Sequence, residues 1–179
     1  MLAALSTARA TPPRQHWLQQ EGGEPTPVTG VDLVHTPAIG ELFRRYGSCS
    51  SVGSPKGRWQ VRERQLFLIG LVVCGPDLPL QTAYPQAEEG EMLATWVSGK
   101  VKAGRGRVLC WRGLTAYQPP IYEQDVEYTV EAGRVLDMHS TDNRQHPELP
   151  DPDAVQARRA AGKWPADLAP LCKGFEWSP

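Results

Sequence analysis

Four side chains have the chemistry to carry a reaction: Cys49, Glu123, Asp125 and His139. Cys49 sits in the small-residue loop Gly47–Gly57, and a thiolate there would need His35 or His139 as its base. The plainer reading, which we favour, makes this loop a helix-to-strand connection with Cys49 as a small buried residue. Glu123 and Asp125 alternate along a strand pattern, so both carboxylates project from one face and have the types needed for acid–base work. The same alternation suits ion pairs with lysine or arginine on a neighbouring strand, and we favour that use. His139 is followed by Asp142 and His146 and preceded by Asp137, but no Cys-x-x-Cys or His-x-x-x-His spacing accompanies them. No metal site and no cofactor is expected. Gly53–Gly57 lacks the Gly-Lys-Ser/Thr ending of a phosphate loop, and Pro55 removes a backbone N–H that a phosphate would need. No Gly-x-Ser-x-Gly elbow is present.

Binding chemistry is better represented. Six tryptophans are many for 179 residues, and tryptophan and tyrosine are the favoured anchors of protein interfaces. Trp111, Tyr117, Tyr122 and Trp164 are the candidate contact residues. Trp96, Trp111 and Tyr117 flank the bases Lys100 to Arg112, an arrangement that stacks nucleobases along a charged groove. Trp96 and Trp111 fall at apolar positions of their strand pattern, however, where they build core. The net charge of -1 also argues against a polyanion partner. There is no apolar run of 18 residues, so no membrane span is expected. The first ten residues lack a charged start and a continuous apolar stretch, so no signal peptide is expected either. The partner is expected to be another protein and the location cytoplasmic. Cys49, Cys74, Cys110 and Cys172 are widely spaced and are expected to be reduced thiols.

The elements that must position these residues are short. Seventeen glycines and seventeen prolines punctuate the chain well beyond the usual combined share of about 12%. Three stretches alternate polar and apolar residues around a turn: 58–71 with a turn at 62–64, 93–111 with a turn at 103–106, and 126–138 with a turn at 131–133. The second stretch is basic and the third acidic, which predicts neighbouring strands joined by cross-strand ion pairs. Thr36 and Pro37 open a helix over 36–47 whose Ile39, Leu42, Phe43 and Tyr46 share one face. Asp151-Pro152-Asp153 caps a second, short helix that stops at Gly162.

The motifs Trp59-x-Val61…Leu66-x-Leu68, Ala94-Thr95-Trp96-x-Ser98-Gly99, Tyr122-Glu123-x-Asp125 and Val130-Glu131-x-Gly133 resemble a family of small bacterial β-rich proteins of unknown function, over residues 57–137. The resemblance implies a bacterial β-rich domain and carries over no activity, cofactor or catalytic residue. The family has an aromatic and arginine-rich motif before its first strand, where this chain has the Ser/Gly loop running from Cys49 to Lys56.

The expected fold is mainly β: a single antiparallel sandwich or partly open barrel of about six to eight strands with one or two short helices. Residues 1–30 are expected to be weakly structured, 31–141 to form the β-rich core, and 142–179 to form a Pro-rich tail whose short helix packs on it. The expected function is a non-catalytic protein-binding module, such as a bacterial immunity or accessory factor. The alternative is a small hydrolase-like enzyme using Cys49 or the Glu123/Asp125 pair.

Overall fold

The computed structural model describes residues 15–20, 23–46, 55–73, 77–113 and 118–175. Cys49, Cys74, Tyr117 and Trp177 lie outside the described residues. Eight strands form one sheet: β1 (His16–Gln19), β2 (Thr26–Thr29), β3 (Lys56–Arg62), β4 (Gln65–Val72), β5 (Met92–Leu93), β6 (Gly99–Cys110), β7 (Ile121–Glu131) and β8 (Arg134–Asp142). Two helices join them, α1 (Pro37–Tyr46) and α2 (Pro152–Ala160). The chain is mainly β, as its alternating pattern predicts.

Two of the three expected hairpins form with their turns where the sequence puts them. Glu63 and Arg64 join β3 to β4 at φ 51° and 59°, and Ala132 and Gly133 join β7 to β8 at φ 45° and 77°. Two consecutive left-handed residues give a turn whose twist matches that of the strands it joins. Gly133 is required twice over, because a Cβ there would lie 2.8 Å from the Ala94 carbonyl oxygen.

The strand order is β3-β1-β2-β6-β7-β8-β4-β5, and a further β3–β4 pairing curls the sheet back on itself. β8 meets β4 at a single pair, Gln65↔Arg134, so the curl stops short of a closed barrel. The sheet is mixed rather than wholly antiparallel, since β1 runs parallel to β3 with Leu18 opposite Trp59. The long excursion through β2 and α1 allows this, because parallel neighbours need a crossover of a dozen residues or more.

Other expectations are corrected. Residues 16–19 and 26–29, within the segment expected to be weakly structured, are strands of the sheet. Their four-residue length gives almost no periodicity to read, and Pro27 sits inside one of them opposite Trp17. The turn expected at 103–106 does not exist, because β6 runs straight through it. Gly104 is there because the Tyr122 ring packs on its backbone: a Cβ would stand 2.0 Å from Tyr122 Cδ2. Gly106, at φ 82°, accommodates the register shift between Arg105 and Val108.

The helix at 37–46 forms with its cap, the Thr36 hydroxyl accepting from the Ile39 N–H at 3.1 Å. Ile39 and Leu42 are buried as expected, whereas Phe43 is exposed. The main core gathers Trp59, Leu66, Leu68, Leu71 and Tyr84 around these two residues. A second, small core joins Cys110, Ile121 and Cys172, with Leu109 and Leu149 packed against it.

The expectation of reduced thiols is also overturned, because Cys110 and Cys172 form a disulfide. The two cysteines are 62 residues apart in sequence, and spacing alone gave no reason to pair them. The bond ties the end of β6 to the tail, beside a parallel bridge between Trp111 and Leu171. Helix α2 forms over its expected Asp151 cap but buries none of its residues, so Leu171 and Cys172 anchor the tail rather than the helix. Among the described residues, no helix is long and apolar enough to cross a membrane.

Candidate functional site

The basic and acidic strands are neighbours, as their charge pattern predicts. Glu127 on β7 receives Lys100 at 2.8 Å and Lys102 at 3.0 Å from β6. Glu123 is held more tightly. Arg107 donates to its Oε1 from Nε (2.9 Å) and Nη2 (2.7 Å), and the Arg107 backbone N–H reaches Oε2 at 3.1 Å. These bonds stabilise the charged carboxylate and hold its pKa below the usual glutamate value. A carboxylate fixed in this way is a poor proton shuttle. Asp125 is exposed on the same strand and has no ion-pair partner among the described residues. The Glu123/Asp125 pair is therefore split between one carboxylate bound by Arg107 and one without an ion-pair partner among the described residues.

The structure brings Tyr122, Asp125 and His139 to one cleft of about 410 Å³, also lined by Lys102, Arg112 and Glu127. His139 stands directly across from Glu127, and Asp125 across from Thr141. The Tyr122 phenol is raised to about 12 by burial, which keeps it protonated. Arg112 is engaged by Glu148 at 2.9 Å. Among the described residues, no group of three or more His, Cys, Asp or Glu side chains is placed to hold a metal ion.

The other expected contact residues lie elsewhere. Trp111 is exposed beside the disulfide. Trp164 lines a second cleft of about 410 Å³ with Leu149, Val155, Leu171 and Phe175, and donates its indole N–H to the Leu168 carbonyl at 3.1 Å. Trp96 is committed to the fold: its ring lies 6.1 Å from that of Trp59, and its N–H bonds to the Asp32 carbonyl.

Two features escaped the sequence reading. The first is His16 on β1. Its Nδ1 accepts from the Gly57 N–H at 2.9 Å and from the Trp59 indole N–H at 3.2 Å, pinning β1 to β3. Burial first, and then the Lys56 ammonium, lower its pKa to about 4 against a weaker opposing pull from Asp32. The second feature is the open edge of β8. At its start the Val135 N–H bonds to the Arg64 carbonyl, and the Arg64 guanidinium caps the carbonyls of Val135 and Leu136. Beyond that point, from Asp137 to Asp142, nothing among the described residues pairs with the side of β8 facing away from β7. Leu136 is 50% exposed and Met138 54%, although Met138 lies opposite the half-buried Tyr128. A register shift at Thr129/Val130 makes Leu136 the extra residue of the strand.

Comparison with protein-family models, with curated proteins and with solved structures gives no match.

Proposed function

We propose that this chain is a non-catalytic protein-binding module that takes up an extended segment of another protein along the open edge of β8. The observation that carries this reading is the coincidence of a backbone edge at 137–142, with which nothing among the described residues pairs, and the exposed apolar side chains of Leu136 and Met138. Strand addition uses those two resources: the edge supplies main-chain hydrogen bonds, and alternate side chains supply contact area. The engagement of Glu123 by Arg107 supports a structural rather than catalytic use of that carboxylate.

The disulfide supports an oxidising working compartment in place of the cytoplasm. The test is quantitative co-purification of partner protein from native lysate with three baits. Wild type and Leu168→Glu are expected to retain the same partner, and Met138→Glu to lose it with an unchanged melting temperature. Retention by Met138→Glu would sink the reading.

A further inference from the structure

We infer that the segment taken up by the β8 edge is basic, with cationic residues alternating with apolar ones. This inference rests on the strand-addition reading above and names the chemistry of its occupant. Successive side chains of a strand face opposite ways, so an added strand presents one set to each face of the sheet. On one face it meets Met138, which lies opposite Tyr128 and is half exposed because β4 has already parted from β8. An apolar side chain there covers surface that this chain leaves in water.

On the other face the added strand meets Asp137 and His139, with Asp125 one strand further in, across from Thr141. Most acids of β7 and β8 are already matched. Glu123 has Arg107, Glu127 has Lys100 and Lys102, Asp142 has Arg144 at 2.5 Å, and Glu131 stands opposite Arg134. Asp125 and Asp137 are exposed, have no ion-pair partner among the described residues and, unlike Glu131, stand across from no base; both lie on the face that the added strand extends. Opposite charges on adjacent strands stabilise pairing and like charges oppose it, so Asp137 at the edge selects lysine or arginine and rejects acidic segments, and Asp125 adds its negative charge from one strand further in. The same pair discourages a second copy of β8, whose own Asp137 and Asp142 would be brought to an already acidic edge.

The experiment uses the full chain and three short synthetic peptides, alternating lysine–valine, serine–valine and glutamate–valine. Binding is read by fluorescence anisotropy and located by amide chemical-shift changes. The lysine–valine peptide is expected to bind at least tenfold more tightly than the other two and to shift the amides of residues 137–142. N-methylation of its alternate amides is expected to abolish that binding. Asp137→Lys is expected to weaken it about tenfold, whereas Asp167→Lys, on an exposed stretch of the tail, leaves it unchanged. If all three peptides shift residues 137–142 equally, strand addition stands and the preference for a basic segment is overturned. If no peptide perturbs those residues, both fall. A mass that rises with concentration, together with shifts at 137–142 in the absence of peptide, would make the occupant a second copy and also overturn the inference.

Discussion

The β3–β4 and β7–β8 hairpins are built on the same turn and end in opposite circumstances. Each has a two-residue connection with both residues left-handed; in the first, burial alternates along the almost wholly apolar β4, and in the second, β7 and β8 mix apolar with polar side chains. In the first, Trp59, Leu66, Leu68 and Leu71 are fully buried. In the second, β8 buries only Val135 of its nine residues. The difference lies in the neighbours. β4 is flanked by β3 on one side and by β5 and the start of β8 on the other, and core packs beneath it. β8 has β7 on one side and, past Val135, nothing described on the other. Turn chemistry and alternation specify a hairpin, while burial is decided by which strands the curl of the sheet brings alongside.

That contrast is open to direct attack. The largest effect is expected from Trp59→Ala, which empties a fully buried site and should cost about 3–5 kcal/mol by urea unfolding. An effect under about 1 kcal/mol would show that the first hairpin is not the stable half. Next comes loss of the disulfide. Cys110→Ser with Cys172→Ser should cost about 2–4 kcal/mol. Hydrogen exchange should quicken at Ile121 and in the tail, and amides of β4 should keep their relative protection if the two hairpins are held independently.

Acid should act on the first hairpin through His16. The folded-state pKa of about 4 lies below the ordinary imidazole value of 6.5. The unfolded chain therefore binds the extra proton first as pH falls. Stability from this group is full above about pH 6.5 and is lost as pH drops towards 4, by up to about 3 kcal/mol. His16→Asn, whose side-chain oxygen can still accept but does not titrate, should flatten that part of the pH–stability curve. An unchanged slope would remove His16 as the cause.

Gly133→Ala strikes the turn of the second hairpin, where a Cβ meets the Ala94 carbonyl at positive φ. A loss of about 1–2 kcal/mol in thermal unfolding is expected. Smallest of all is Met138→Ala, expected within about 0.5 kcal/mol, because the side chain is already more than half in water. A larger loss would mean that β8 is supported by packing its exposure conceals.

Much of the fold was legible where local chemistry and the final environment agree. Glu63-Arg64 and Ala132-Gly133 read as turns, Thr36 and Asp151 as caps, and Lys100, Lys102, Arg107 and the β7 glutamates as partners across strands. The misreadings share a cause: their meaning depends on a distant residue. Gly104 and Gly106 looked like a turn because the Tyr122 ring and Glu123 that occupy their missing side chains come later in the chain. His16 gave no sign of its role without Gly57 and Trp59 beside it. Of the candidate site residues, Asp125 falls on a strand as alternation with Glu123 suggests, whereas His139, one residue past the alternating stretch 126–138, lies inside β8; neither pattern reports that the edge beyond them has no partner among the described residues. Tyr122 has the residue type of an interface contact, and the structure uses most of it as filling over Gly104.

The Cys110–Cys172 bond also sets how the molecule comes apart. Lys163 is exposed just past the end of α2. A trypsin cut after it would separate the peptide chain into two pieces that still travel as one body, because Cys172 remains fastened to β6. The smaller piece would keep its Pro170 carbonyl on the Trp111 N–H and its Cys172 N–H on the Trp111 carbonyl. Only a reductant would let it go, so a nicked population would look intact on a non-reducing gel and show its wound on a reducing one.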